Sequence, residues 1–191
     1  MSMSKPSHVA EGDRFVPLAE VMRPHGVRGE LRLKVFNSES DLLLTHDEVL
    51  LKPKDGVEHA VSVDRARRAD AAILLKLHSV DDRDRADELR GALVGLLRSQ
   101  FPPPEEGAFY ACDIEGARVI VRGAAEDGSE AVSEVGTVRT LTSYPSVDVL
   151  VIRASDGKKD WEVPLVESYI ADVDVERGVV TLTTLEGLER A

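Results

Sequence analysis

Three consecutive prolines, Pro102-Pro103-Pro104, stand just past the middle of a 191-residue chain. Proline has no amide hydrogen and a fixed φ, so a run of three cannot continue a β-ladder or a helix and takes a stiff, extended geometry. Residues 100–107 therefore read as a connector between two parts, each large enough for one small domain. The charge changes at the same place. Residues 1–100 hold 16 Lys and Arg against 17 Asp and Glu, whereas residues 101–191 hold 8 against 18. The first part can approach a phosphate backbone locally; the second repels nucleic acid and attracts basic protein. The expected organisation is a flexible tail over 1–13, a domain over 14–99, the proline-rich linker over 100–107 and a second domain over 108–191.

Both parts read as β-structure. Residues 30–36 alternate strictly, turning Leu31, Leu33 and Val35 toward a core and Arg32 and Lys34 toward water. Residues 15–21 (interrupted by Pro17), 49–51, 60–63, 73–77 and 93–97 supply five more strands. One helix is indicated: Asp81 and Asp82 can cap its start, Ala86 and Leu89 share a face, and Gly91 can close its end. Beyond the prolines, strands are expected over 118–121, 135–141, 147–153, 161–166 and 179–184, with 123–130 as a hairpin loop. Short strands without long intervening helices predict a mainly β protein of two small antiparallel β-barrels in tandem, with one short helix in the first.

Several chemistries are disfavoured. No apolar run approaches the length of a membrane span, and the first residues lack the hydrophobic stretch of a secretory signal, so a cytoplasmic location is expected. The lone Cys112 precludes an internal disulfide and a multi-cysteine zinc site. His8, His25, His46, His59 and His78 show no metal-ligand spacing, and there is no nucleophile elbow, phosphate-binding loop or dinucleotide fingerprint. Aromatic residues make up only 4% of the chain, too few for a base-stacking platform. The acidic pairs Asp81-Asp82, Glu105-Glu106 and Glu126-Asp127 read as solvated surface, with an enzyme using scattered carboxylates as the rival reading. The expectation is a binding protein that is not an enzyme, without metal or cofactor, working as a monomer.

Three segments stand out. Arg23-Pro24-His25-Gly26-Val27-Arg28-Gly29-Glu30 carries Arg23, His25 and Arg28, with Arg32 and Lys34 just beyond, against one acid, Glu30. Gly26 and Gly29 let the backbone turn or be approached closely. The segment is either a loop that grips phosphates or a hairpin whose glycines serve geometry and whose arginines are solvated. Arg65, Arg67 and Arg68 form a second basic cluster with the same two readings. Phe109-Tyr110 opens the second domain; neighbours on a strand face opposite ways, so one ring is expected at the surface, where exposed aromatics favour interfaces. Trp161 lies on a predicted strand, where core or rim packing is the default and an interface the alternative.

The 23–30 segment, Val80-Asp81-Asp82-Arg83-Asp84 and the helix ending at Gly91 resemble the N-terminal domain of the RimM family of ribosome maturation factors. The segments Gly107-Ala108-Phe109-Tyr110-Ala111-Cys112-Asp113-Ile114-Glu115-Gly116, Val135-Gly136-Thr137-Val138, Asp148-Val149-Leu150-Val151 and Val163-Pro164-Leu165-Val166 resemble that family's PRC barrel. These matches run in the family's order over about 175 residues. Phe109 stands where the family often has a second tyrosine, and Leu165 where phenylalanine is common. The resemblance implies an assembly factor that binds the head of the maturing small (30S) subunit, contacts the nineteenth small-subunit protein (uS19), and assists 16S rRNA processing and folding. It implies that Phe109 and Tyr110, with Trp161, meet the ribosomal protein, while Arg23, His25, Gly26, Arg28, Gly29 and Arg32 face rRNA. Because PRC barrels also occur outside ribosome biology, a binding module for another basic protein is the alternative.

Overall fold

The computed structural model describes residues 13–124 and 130–190, and the side chains of 123–130 lie outside the description. The tail over 1–12 and the tip of the 123–130 hairpin fall outside the described residues. The chain divides into two compact units between Pro103 and Pro104.

Six strands build the first unit: β1 (Phe15–His25), β2 (Glu30–Val35), β3 (Glu48–Lys52), β4 (His59–Ala69), β5 (Ala72–Leu77) and β6 (Leu93–Leu97). They close into a barrel in the order β1-β2-β5-β4-β3-β6, every pair antiparallel. The alternation of β2 sets its register: Leu31 and Leu33 are wholly buried, with Ile73, Leu75, Leu77 and Leu96 beside them, while Lys34 is exposed. Each such side chain contributes roughly 1.5–3 kcal/mol relative to exposure. Pro17 does not end β1 as its sequence suggests. Pro17 stays opposite Gly95, the register shifts directly after it with Leu18 as the extra residue, and the strand continues through Pro24 to His25. A second bulge between Val21 and Arg23 leaves Met22 exposed and turns Arg23 to the outer face.

Two helical turns border this barrel. The expected helix is α2 (Arg83–Glu88): Asp82 Oδ1 accepts the Arg85 amide at 2.8 Å, Ala86 is wholly buried, and Gly91 takes a left-handed φ of +76°. The single turn α1 (Leu42–Thr45) is additional; four residues give no period to read. A 3-10 turn over Arg98–Gln100 and the buried Phe101 carry the first unit into what the sequence presents as linker. Asp13, expected in the tail, accepts hydrogen bonds from the backbone and hydroxyl of Ser99.

The second unit starts with α3 (Ala111–Ile114), then β7 (Arg118–Ala124), β8 (Glu130–Ser143), β9 (Asp148–Ala154), β10 (Trp161–Pro164), β11 (Ile170–Asp174) and β12 (Val179–Leu182). Its sheet runs β10-β9-β8-β7-β12-β11, a half-barrel around Ile114, Val119, Leu150, Ile152, Val163, Val180 and Leu182. Strand β11 has no counterpart among the strands read from the sequence, because its core-packed residues Ile170 and Val173 are three apart and give no period-two alternation. The pair β7/β12 is parallel, a detail that side-chain alternation cannot encode, since it is the same for either direction. Among the described residues, no helix is long and apolar enough to cross a membrane.

The glycines of the β1–β2 turn differ. Gly26 (φ +68°) faces open space, whereas a Cβ on Gly29 (φ +74°) would lie 2.1 Å from the Val80 carbonyl oxygen. Gly29→Ala should therefore destabilise the first unit by roughly 2–4 kcal/mol, from backbone strain plus overpacking, and Gly26→Ala by about 1 kcal/mol from strain alone. Denaturant unfolding of the two variants checks the difference; equal losses would contradict it.

Candidate functional site

In the first unit, strand pairing gathers basic residues that are far apart in sequence. Arg23 on β1 lies opposite Arg32 on β2, Arg32 opposite Leu74 on β5, and Leu74 opposite Arg67 on β4. Adjacent to that row, His25, Glu30, Lys76 and Arg65 form another, and Glu20 pairs with Lys34 on the other side. Because these residues alternate with the core row Leu31-Leu75, they share the outer face of the barrel. Arg28 stands exposed on the turn beside it.

Part of this charge is neutralised. Arg67 donates from Nη2 to both Glu30 oxygens, at 3.3 and 3.2 Å, so the segment's one acid is paired with a distant strand and not with its sequence neighbours. Lys76 Nζ donates to the carbonyls of Leu77 and Val80 and to Asp81. Arg32 reaches Asp70 only at 3.9 Å. Arg23, Arg28, Lys34 and Arg65 are exposed and have no hydrogen-bond or ion-pair partner among the described residues. They leave a patch of uncompensated positive charge on a unit that is nearly neutral overall.

The sequence-defined segments sort differently in three dimensions. Arg23 and His25 belong to β1 and not to a loop; the loop proper is Gly26 to Gly29. Gly29 is buried against Val80, which explains its identity by packing, while Gly26 is exposed. The triplet Arg65, Arg67 and Arg68 separates: Arg68, one residue out of phase, donates to the Ser38 and Ser40 carbonyls and to Asp41 at 2.6 Å, tying down the chain before α1. Lys34, grouped by sequence with Arg23 and Arg28, is exposed on the same outer face. The pairing of β1 and β2 sets it opposite Glu20.

In the second unit, Phe109 and Tyr110 are not on a strand, which corrects the alternation argument made for them. Tyr110 immediately precedes α3, its amide donating to Asp113 Oδ2 at 3.3 Å, and both rings are half-buried. Phe109 packs against the second core. Trp161 also packs there, and the Arg190 guanidinium lies 4.3 Å from its ring centroid. Arg190 is held by a two-pronged pair to Asp156, at 2.7 and 2.8 Å. Trp161 is thus engaged within its own unit, as rim packing requires. Several acids carry no counter-charge within ion-pair distance among the described residues, Glu115, Glu162, Glu167 and Asp172 among them.

Charge-segregated surfaces on two successive β-barrel domains define a tandem-barrel protein whose chemistry lies on its faces. The family model of the RimM N-terminal domain matches residues 16–101, and that of the RimM PRC barrel domain matches residues 112–188. The chain belongs to the RimM family. A Sorangium cellulosum protein named ribosome maturation factor RimM is 49% identical over 175 residues, spanning 92% of this chain and 98% of the relative. Proteins of the same name from Corynebacterium glutamicum and Geobacter metallireducens are each 32% identical, covering 92% and 91% of this chain and 96% and 95% of their own lengths.

The Asp156–Arg190–Trp161 arrangement makes a pH prediction. Hydrogen bonds from Arg190, and then from the Lys158 amide, lower the Asp156 carboxyl from 3.8 to about 2, and the same bond raises Arg190. A carboxyl depressed in the folded state contributes stability above its unfolded value and loses it as pH falls through the folded one. The contact should therefore persist at pH 4 and be released toward pH 2. Trp161 is the chain's single tryptophan, so its fluorescence reports this step directly. Asp156→Asn should abolish the acid step; an identical profile in the variant would contradict the assignment.

Proposed function

We propose that this protein is a cytoplasmic ribosome assembly factor acting on the maturing small subunit. The observation that carries this reading is the patch Arg23, Arg28, Lys34 and Arg65 on the first unit of a chain whose second unit is strongly acidic. In the proposal the patch, with Arg32, His25 and the accessible turn at Gly26, lies against 16S rRNA. Arginine forks and the lysine meet phosphates, and near-neutrality of the unit avoids long-range repulsion. Hardly any aromatic accompanies these cations, which suits backbone positioning better than base stacking.

The acidic unit docks a basic protein of the subunit head, uS19 in this proposal, through the Phe109-Tyr110 segment. Complementary charge accelerates encounter, and a half-buried aromatic at the domain's start supplies the apolar anchor. Phe109 orders the segment from beneath while Tyr110 makes the contact; Trp161, covered by Arg190, supports the surface. Holding protein and RNA together favours the head conformation that satisfies both, which assists folding and processing without chemistry by the factor itself. The family membership and the name of the 49% identical relative support this reading.

Association of the full chain with purified immature small subunits, measured over a salt series, tests it. The triple variant Arg23→Gln, Arg28→Gln, Arg65→Gln should reduce the slope of log affinity against log salt by roughly two to three units. An unchanged slope would remove the patch from the interface. Tyr110→Ala should weaken association by about 2 kcal/mol, near thirtyfold, with little change in slope. Unaltered affinity would dismiss the anchor.

A further inference from the structure

The first unit carries another surface feature, unrelated to its basic patch. Across the outer side of β1, β6, β3 and β4 runs a cavity of about 500 Å³. Phe15, Leu50, Ala60 and Leu97 give it an apolar floor, and Asp13, Glu48 and Glu58 stand among its lining residues. Gly95 lies beneath the Phe15 ring. A Cβ there would lie 2.1 Å from the Val16 carbonyl oxygen and 2.7 Å from Phe15 Cε2, so the bare backbone of β6 lets the Phe15 ring lie across it.

We propose that this groove is a docking site for a short basic segment of a partner protein, which inserts one apolar side chain over Phe15 and Leu50 while flanking Lys or Arg residues meet the carboxylates. Charge complementarity selects the occupant. Glu48 is exposed and has no partner among the described residues. Glu58 has only Lys52, at 3.6 Å, and that ammonium also lies 5.7 Å from the Phe15 ring centroid. The Asp13 carboxylate accepts from Ser99, and that hydrogen bond holds it below its ordinary pKa, so it stays charged. Arg98 acts on Asp13 and Lys52 on Glu58, so Glu48 is the carboxylate left without a counter-charge, and the acids still outnumber the cations around an apolar floor, a balance that disfavours a phosphate backbone. Among the described residues no group of acids and histidines is close enough to hold a metal ion, despite His59 in the lining. Spaced acids suit spaced cationic side chains. Because the barrel is closed, its strands offer no free edge here, and recognition falls to side chains instead of strand addition.

The test uses the isotopically labelled full chain and a blocked pentapeptide probe, Lys-Arg-Leu-Arg-Lys, followed by heteronuclear NMR. The expected result is saturable shifts at Asp13, Phe15, Glu48, Leu50 and Ala60. A probe with alanine in place of leucine should bind there at least fivefold more weakly, and one with glutamates in place of the cations should not bind. Glu48→Lys, an exposed change that leaves the fold intact, should weaken the pentapeptide at least fivefold at these residues. Shifts confined to residues beyond Pro104 would overturn the proposal, assigning basic-peptide capture to the acidic unit alone. Equal binding by the leucine and alanine probes, or indifference to Glu48→Lys, would overturn it equally.

Discussion

Closure of the first barrel depends on one strand. Strand β1 pairs with β6 along its first half and with β2 along its second, and it changes partner through two bulges. The first bulge, at Leu18, directly follows Pro17; the Met22 bulge re-aims the remainder of the strand. Where β1 leaves β6, the chain beyond α2 takes over, Gly91 donating to the Val21 carbonyl and Val21 donating to the Ala92 carbonyl. The helix is thereby fastened to the point at which the barrel would otherwise open.

That local adjustment has consequences on the surface. Without the extra residue, the alternation that buries Val21 would also bury Arg23. With it, Arg23 stands opposite Arg32, and the outer row continues through Leu74 to Arg67. The pairing between Glu30 and Arg67 then neutralises an acid that the linear sequence places among the arginines of the turn. The surface left uncompensated is a different set of residues from the one that sequence proximity suggests. The Gly95 groove arises from the same ring on other strands, so one closed barrel carries two faces of unlike chemistry.

The second unit solves a different problem. Its half-barrel has outer strands at β10 and β11, and the chain's last described residues cover the first of these: Arg190 bridges to Trp161 and stacks on its ring while Asp156 fixes the guanidinium. A single ion pair near the surface is worth little by itself. Here it also orients a cation over an aromatic and holds the end of the chain, so its geometry matters more than its Coulomb energy.

Much of the architecture was legible in the residues themselves. The alternation over Leu31, Leu33 and Val35, the Asp82 cap with Gly91 behind it, and the charge change at the prolines all arise from interactions between near neighbours in the chain, which periodicity and turn chemistry report directly. Strand β11, whose core-facing Ile170 and Val173 are three apart, and α1 and α3, each a single turn, carry no such signal. Two adjacent aromatic residues cannot distinguish an extended segment from the lead-in to a helix, so Phe109 and Tyr110 suggest a strand where the chain in fact enters α3. Register lay beyond the sequence altogether. Which arginine faces which acid, that Arg68 turns away from Arg67, and that Trp161 is occupied by Arg190 are all set by pairings between distant segments. They follow only when the barrels close, because bulges and cross-strand neighbours, not sequence spacing, decide which side chains share a face.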